Sequence, residues 1–143
     1  MKFQKNQIVT VEIVDIGSEG QGIGKSDGFT LFVKDAIVGD TVEARILKAK
    51  KNYAYARLEK VVVPSPFRVE AECRYHRQCG GCQLQALSYE KQLEFKQKKI
   101  RDSLVRIGGF APEAVEEWME PNEGMWEPFR YRNKAQYPVG TDR

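Results

Sequence analysis

Five short β-rich segments fall within the first sixty residues, and the alternation of the first, Gln7 to Ile16 (QIVTVEIVDI), most narrows what the chain can become. Ile8, Thr10, Glu12 and Val14 fall on one face of an extended segment and Val9, Val11, Ile13 and Asp15 on the other, so a strand with at least one buried face is predicted. The stretch GSEGQGIGKSDG follows, with glycine at 17, 20, 22, 24 and 28. A glycine-rich loop cradles phosphate when it opens a helix, but more β sequence comes next, so a hairpin region with bends is the better reading. FTLFV, DTVEARILKAKKN and YAYARLEKVVV complete the run. Closure removes exposed strand edges and buries one face of each strand, which predicts a small five-stranded barrel over residues 1–64 and a mainly β fold.

Small barrels of this kind hold RNA on an outer face, with lysines for phosphates and aromatics for bases. The candidates are Lys25, Phe29, Phe32, Lys34, Lys48, Lys50, Lys51, Tyr53 and Tyr55. The competing reading packs Tyr53 and Tyr55 inward and leaves the lysines to solvate an edge. The net charge of +3 does not decide between them, but its distribution singles out the middle of the chain, where residues 65–110 carry 9 bases against 5 acids.

Pro64 and Pro66 stop strand pairing after VVV and mark a boundary. CRYHRQCGGC then places all 3 cysteines and the 1 histidine in residues 73–82. A tetrahedral zinc site would use Cys73, His76, Cys79 and Cys82, yet structural zinc usually joins two pairs across an intervening segment, and none is present. An iron–sulfur cluster would use only the three thiolates, because it is larger than one ion and accepts a fourth ligand from elsewhere; Gly80 and Gly81 allow the backbone to approach sulfur closely. Inert or disulfide-forming thiols make the crowding accidental. No apolar run approaches the roughly 18 residues that span a bilayer, and the N-terminus lacks a signal-peptide core, so a cytoplasmic protein without a membrane partner is expected.

Ser88 is a predicted N-cap for a helix running to about Ile107, stopped by Gly108 and Gly109. Leu93, Ile100, Leu104 and Ile107 share one stripe. Lys91, Lys98, Lys99 and Arg106 lie opposite, around Phe95, which suggests docking to RNA or to a further domain. Residues 111–127 hold six glutamates and no base, whereas residues 128–138 hold Arg130, Arg132 and Lys134 and no acid. On a strand, those three share a face with Gln136 and could neutralise phosphates and hydrogen-bond bases.

Three stretches together resemble the S-adenosylmethionine-dependent RNA uracil-5-methyltransferases that begin with a TRAM domain, especially those acting on 23S ribosomal RNA. They are GSEGQGIGKSDGFTLFVKDAIVGDTVEARI with KKNYAYARL, the Cys73-x5-Cys79-Gly-Gly-Cys82 motif with QLQALSYEKQLEFKQKKI, and PFRYRNKAQYPVG. The resemblance implies a five-stranded OB-like TRAM barrel over 1–64, a linker and cluster loop over 65–87, the helix at 88–109, and the first strands of a central α+β RNA-binding domain over 110–143. It further implies a 4Fe–4S cluster on Cys73, Cys79 and Cys82 with its fourth ligand outside this chain. A Rossmann-like catalytic domain binding S-adenosylmethionine would also lie outside, so no catalytic residue is assigned and these residues alone are expected to be inactive. In its complete form the protein would be a monomer acting on RNA. The rival expectation is a stand-alone zinc-containing RNA-binding module without enzymatic activity.

Overall fold

A computed structural model describes residues 3–137 and 139–141. Five strands, β1 (Ile8–Ile16), β2 (Gly22–Ser26), β3 (Phe29–Lys34), β4 (Thr41–Ala49) and β5 (Tyr53–Val63), close into a barrel in the order β1-β2-β3-β5-β4. β3 runs parallel to β5, and every other neighbouring pair is antiparallel. Register shifts in β1 and along the β4–β5 pair bend the strands, which lets so few of them meet. The glycines of the β1–β2 hairpin serve that closeness: a Cβ on Gly24 would lie 2.4 Å from the Val11 side chain and 2.8 Å from the Glu12 carbonyl oxygen.

Alternation sends Val11 and Ile13, Leu31 and Val33, Val42, Ala44 and Ile46, and Ala54, Ala56 and Leu58 into one core. Phe29 belongs to it too. Its ring meets Phe3 edge-on at 5.1 Å and is buried, so the expectation that Phe29 contacts RNA is corrected: it sits three residues from Phe32 on one strand and therefore on the opposite face.

Three helices follow, α1 (His76–Cys79), α2 (Tyr89–Arg106) and α3 (Pro112–Trp118). Ser88 is the N-cap residue of α2 by backbone position, without a side-chain capping bond, and the helix ends where Gly108 N–H donates to Ser103 O and Gly109 turns to a φ of 71°. A second core of Ile16, Ile37, Ala86 and Leu87 receives Phe67, Leu84 and Phe95, so residues 65–95 pack on the barrel. Phe95 is thus half-buried against protein and also lines the grooves beside the barrel, while Ile107 on the predicted apolar stripe is 86% exposed. α3 lies on α2 through the Arg101–Glu116 ion pair, and Asn122 Nδ2 donates to Leu93 O at 3.1 Å. Among the described residues no strand follows β5 apart from the isolated Arg68–Leu87 bridge, so the strand expected at 128–138 is corrected; Arg130 adopts a φ of 57°, which breaks an extended run, and Pro138 lies outside the described residues, as do 142–143.

Asp40 fastens the post-barrel segment. Its fully buried carboxylate accepts from Ile37 N–H at 3.0 Å, Ser65 N–H at 2.9 Å, and Arg68 Nε at 3.0 Å and Nη2 at 2.5 Å. Burial pushes the Asp40 pKa upward, but the Arg68 guanidinium and the two backbone donors outweigh it and hold the group below its ordinary value.

Two outcomes follow from this packing. Asp40→Asn leaves Arg68 without its anion and should cost about 3 kcal/mol in urea unfolding at neutral pH. Because the folded-state pKa is the lower one, the wild-type contribution is complete above about pH 4 and is lost as pH falls through the folded value, a dependence that the variant should lack. Phe29→Ala should cost about 3–5 kcal/mol in the same assay, whereas Phe29→Leu, if it folds, should leave RNA affinity unchanged.

Candidate nucleic-acid interface

Strand alternation sends Ala54 and Ala56 inward and Tyr53 and Tyr55 outward. The parallel register then sets Tyr55 beside Phe32, and Tyr53 beside Thr30. The three rings form one cluster, with centroids 5.8 Å apart for Phe32–Tyr53, 5.7 Å for Phe32–Tyr55 and 5.6 Å for Tyr53–Tyr55. Tyr55 is 42% exposed. The neighbouring Tyr53 phenol, partial desolvation and the Glu19 charge raise its pKa, so the phenol stays neutral and able to donate. Aromatic faces on a solvated sheet are the surface that unstacked bases take.

Lysines border the cluster. Lys25 and Lys34 lie on the same outer face, and Lys48, Lys50 and Lys51 are exposed around the β4–β5 turn, where Lys50 N–H donates to Tyr53 O at 2.8 Å. None of these five makes an ion pair among the described residues, whereas Arg45 and Arg57 both turn to Glu59. The structure thus gathers Lys25, Phe32, Lys34, Tyr53 and Tyr55 on one face and withdraws Phe29.

The cysteine loop borders that face. Gly20, at a φ of 82°, brings the β1–β2 turn so close that an added Cβ would lie 2.6 Å from Gln83 Cβ. Cys73, Cys79 and Cys82 are free and exposed. α1 is a single turn ended by Gly80 in the left-handed region, and a Cβ on Gly81 would make only ordinary contact with Cys79 Sγ, at 3.4 Å. Among the described residues no three His, Cys, Asp or Glu side chains converge as they would around one metal ion. His76 is buried with an unpartnered Nδ1, lining a cavity of about 390 Å³ with Leu58, Val69 and Ala86. The three thiols are the soft donors of this loop, and neither they alone nor they with His76 form a convergent group of donors among the described residues.

Arg130, Arg132, Lys134 and Gln136 are exposed but belong to no strand, so they do not share the predicted face. Arg130 and Arg132 border a groove of about 620 Å³ together with Cys82, Tyr89 and Lys96. Lys96 and the Asp40–Arg68 clamp were not among the residues singled out from sequence; the clamp joins positions 28 apart and leaves no local signature.

Residues 2–58 match the family described as TRAM domain. The chain is 46% identical over 98% of its length to an "Uncharacterized RNA methyltransferase" of Clostridium tetani, and 47% identical over 95% to one of Halalkalibacterium halodurans. It spans 29% of the length of each of these curated relatives. Among solved structures, the tRNA (uracil-54, C5)-methyltransferase of Pyrococcus abyssi in complex with S-adenosyl-L-homocysteine is 35% identical, with 71% of this chain and 21% of that one covered and a TM-score of 0.45. A conserved protein of Methanococcus maripaludis is 28% identical, with 42% and 86% covered and a TM-score of 0.40. Residues 2–58 are therefore similar to TRAM domains, and the chain as a whole is similar to the covered 29% of proteins named RNA methyltransferases.

Proposed function

We propose that this chain is the RNA-gripping part of a cytoplasmic, monomeric, S-adenosylmethionine-dependent enzyme that makes 5-methyluridine in 23S ribosomal RNA. The observation that carries the reading is the outward cluster of Phe32, Tyr53 and Tyr55, flanked by lysines without ion pairs, on a TRAM-like barrel whose relatives are named RNA methyltransferases. The choice of uridine and of 23S RNA rests on the motif resemblance. S-adenosylmethionine supplies the methyl group when bound, in a domain outside these residues.

Uracil carbon 5 becomes nucleophilic once a thiolate has added to carbon 6, so the target base has to leave its stack and be held. The residues of this chain contribute the holding: rings for neighbouring bases and lysines for the strand that has been pulled open. None of the three loop thiols is assigned the nucleophilic role. Cys73, Cys79 and Cys82 instead hold a 4Fe–4S cluster whose fourth ligand lies elsewhere, a reading supported by the motif resemblance, the three free thiols and the place of His76 in a cavity that none of the cysteines lines. Methyl transfer moves no electron, so the cluster's work is structural.

Iron, acid-labile sulfide and zinc measured on the intact protein purified without oxygen should show iron and sulfide in a ratio near one with little zinc, and His76→Ala should leave both unchanged. Stoichiometric zinc that His76→Ala abolishes would contradict the cluster. Labelled methyl groups from S-adenosylmethionine should appear on carbon 5 of uridine in 23S RNA with the intact protein and not with these 143 residues alone; label on another base or atom would overturn the proposed reaction.

A further inference from the structure

The barrel face and α2 are far apart in sequence, yet both line one groove of about 800 Å³. Phe32, Tyr55 and Lys34 line it from the barrel, Lys96 and Lys99 from α2, and the cysteine loop from residues 80 to 84. The charges on α2 are divided. Lys98 is held by Asp102 at 2.8 Å and Asp15 at 3.3 Å, Lys91 by Glu94 at 2.5 Å and Arg101 by Glu116. Lys96 and Lys99 have no carboxylate partner among the described residues, and Lys99 Nζ meets only the neutral Ser18 carbonyl, at 2.9 Å. Two acids border the same groove, Asp35, which faces Arg77 at 4.0 Å, and Glu19. Three lysines therefore outnumber the acids across an opening with exposed aromatic faces.

We infer that this groove binds single-stranded RNA, with a base stacked on Phe32 and Tyr55 and the backbone phosphates running between Lys34 on the barrel and Lys96 and Lys99 on α2. The inference rests on the RNA-binding reading above and adds the helix as the second wall of the site. A duplex keeps its base faces stacked and offers nothing to the rings, whereas an open strand presents both a ring face and a charged backbone. Lys96 and Cys82 also border the neighbouring groove beside Arg130 and Arg132, so the same strand has a cationic route onward past the cysteine loop.

The test is fluorescence anisotropy of the intact protein with an oligouridylate of about ten nucleotides, alone and paired with its complement, across a salt series. Tyr55→Ala should weaken binding of the single strand about tenfold without changing the salt slope, and Tyr55→Phe should restore it. Lys96→Gln with Lys99→Gln should lower the slope of log affinity on log salt by about 1.4, the share of two phosphate contacts on a single strand. The duplex should bind more weakly than the single strand and be indifferent to Tyr55→Ala. Wild-type binding with both variants unchanged overturns the groove and leaves the RNA-binding reading standing. No binding by the wild-type protein overturns that reading itself.

Discussion

One buried carboxylate decides how the second half of the chain sits on the first. Asp40 lies in the turn between β3 and β4, where Ile37 N–H fixes it locally, and it reaches out of the barrel to Ser65 and Arg68. An ion this deep is costly unless its oxygens are filled, and here two backbone donors and a two-pronged guanidinium fill them. The arrangement brings residues 65–68 against the barrel as the sheet ends, and the Arg68–Leu87 bridge carries the constraint to the start of α2. The second core, Ile16, Ile37, Ala86 and Leu87 with Phe95, then has its partners within reach. The cysteine loop lies between these anchored ends.

That placement is what makes a surface out of separate elements. The aromatic cluster alone would be a patch on a barrel; with α2 alongside, it becomes one side of a groove whose other side carries Lys96 and Lys99. The division of charge matters more than its sum. Lysines and arginines that steady the fold are matched by Asp15, Glu59, Glu94, Asp102 and Glu116, and those around the rings are not. Unmatched cations beside exposed rings are suited to a partner that brings both phosphates and π faces.

The legible parts of the sequence were the local ones. Alternation marked the strands, the glycines between β1 and β2 marked a tight hairpin, and Ser88 with Gly108–Gly109 bounded α2 to within a residue or two. The inward turn of Phe29 is itself legible, since residues three apart on a strand face opposite ways and Phe32 and Lys34 occupy the outer face. Phe95 was different. Its neighbours on the helix were charged, and only the distant Ile16, Ile37, Ala86 and Leu87 make that position a contact, as nothing near it in the chain announces. The basic stretch after Pro128 carried a strand-like pattern, but a strand needs a partner, and Arg130 turns to positive φ where none pairs with it among the described residues. The spacing of Cys73, Cys79 and Cys82 was legible as a cluster of thiols, but what they hold is not written in local pattern, and they do not converge among the described residues.

The claim at the centre of this account is that the outer barrel face and α2 grip an open RNA strand together. Ultraviolet cross-linking of the intact protein to single-stranded RNA, with the joined peptides identified by mass spectrometry, addresses it most directly. The account predicts adducts at Phe32, Tyr53 or Tyr55 together with adducts in the α2 segment around Lys96 and Lys99. Adducts confined to the exposed apolar positions around Ile107 and Trp126, with the barrel rings and α2 lysines unmarked, would contradict it.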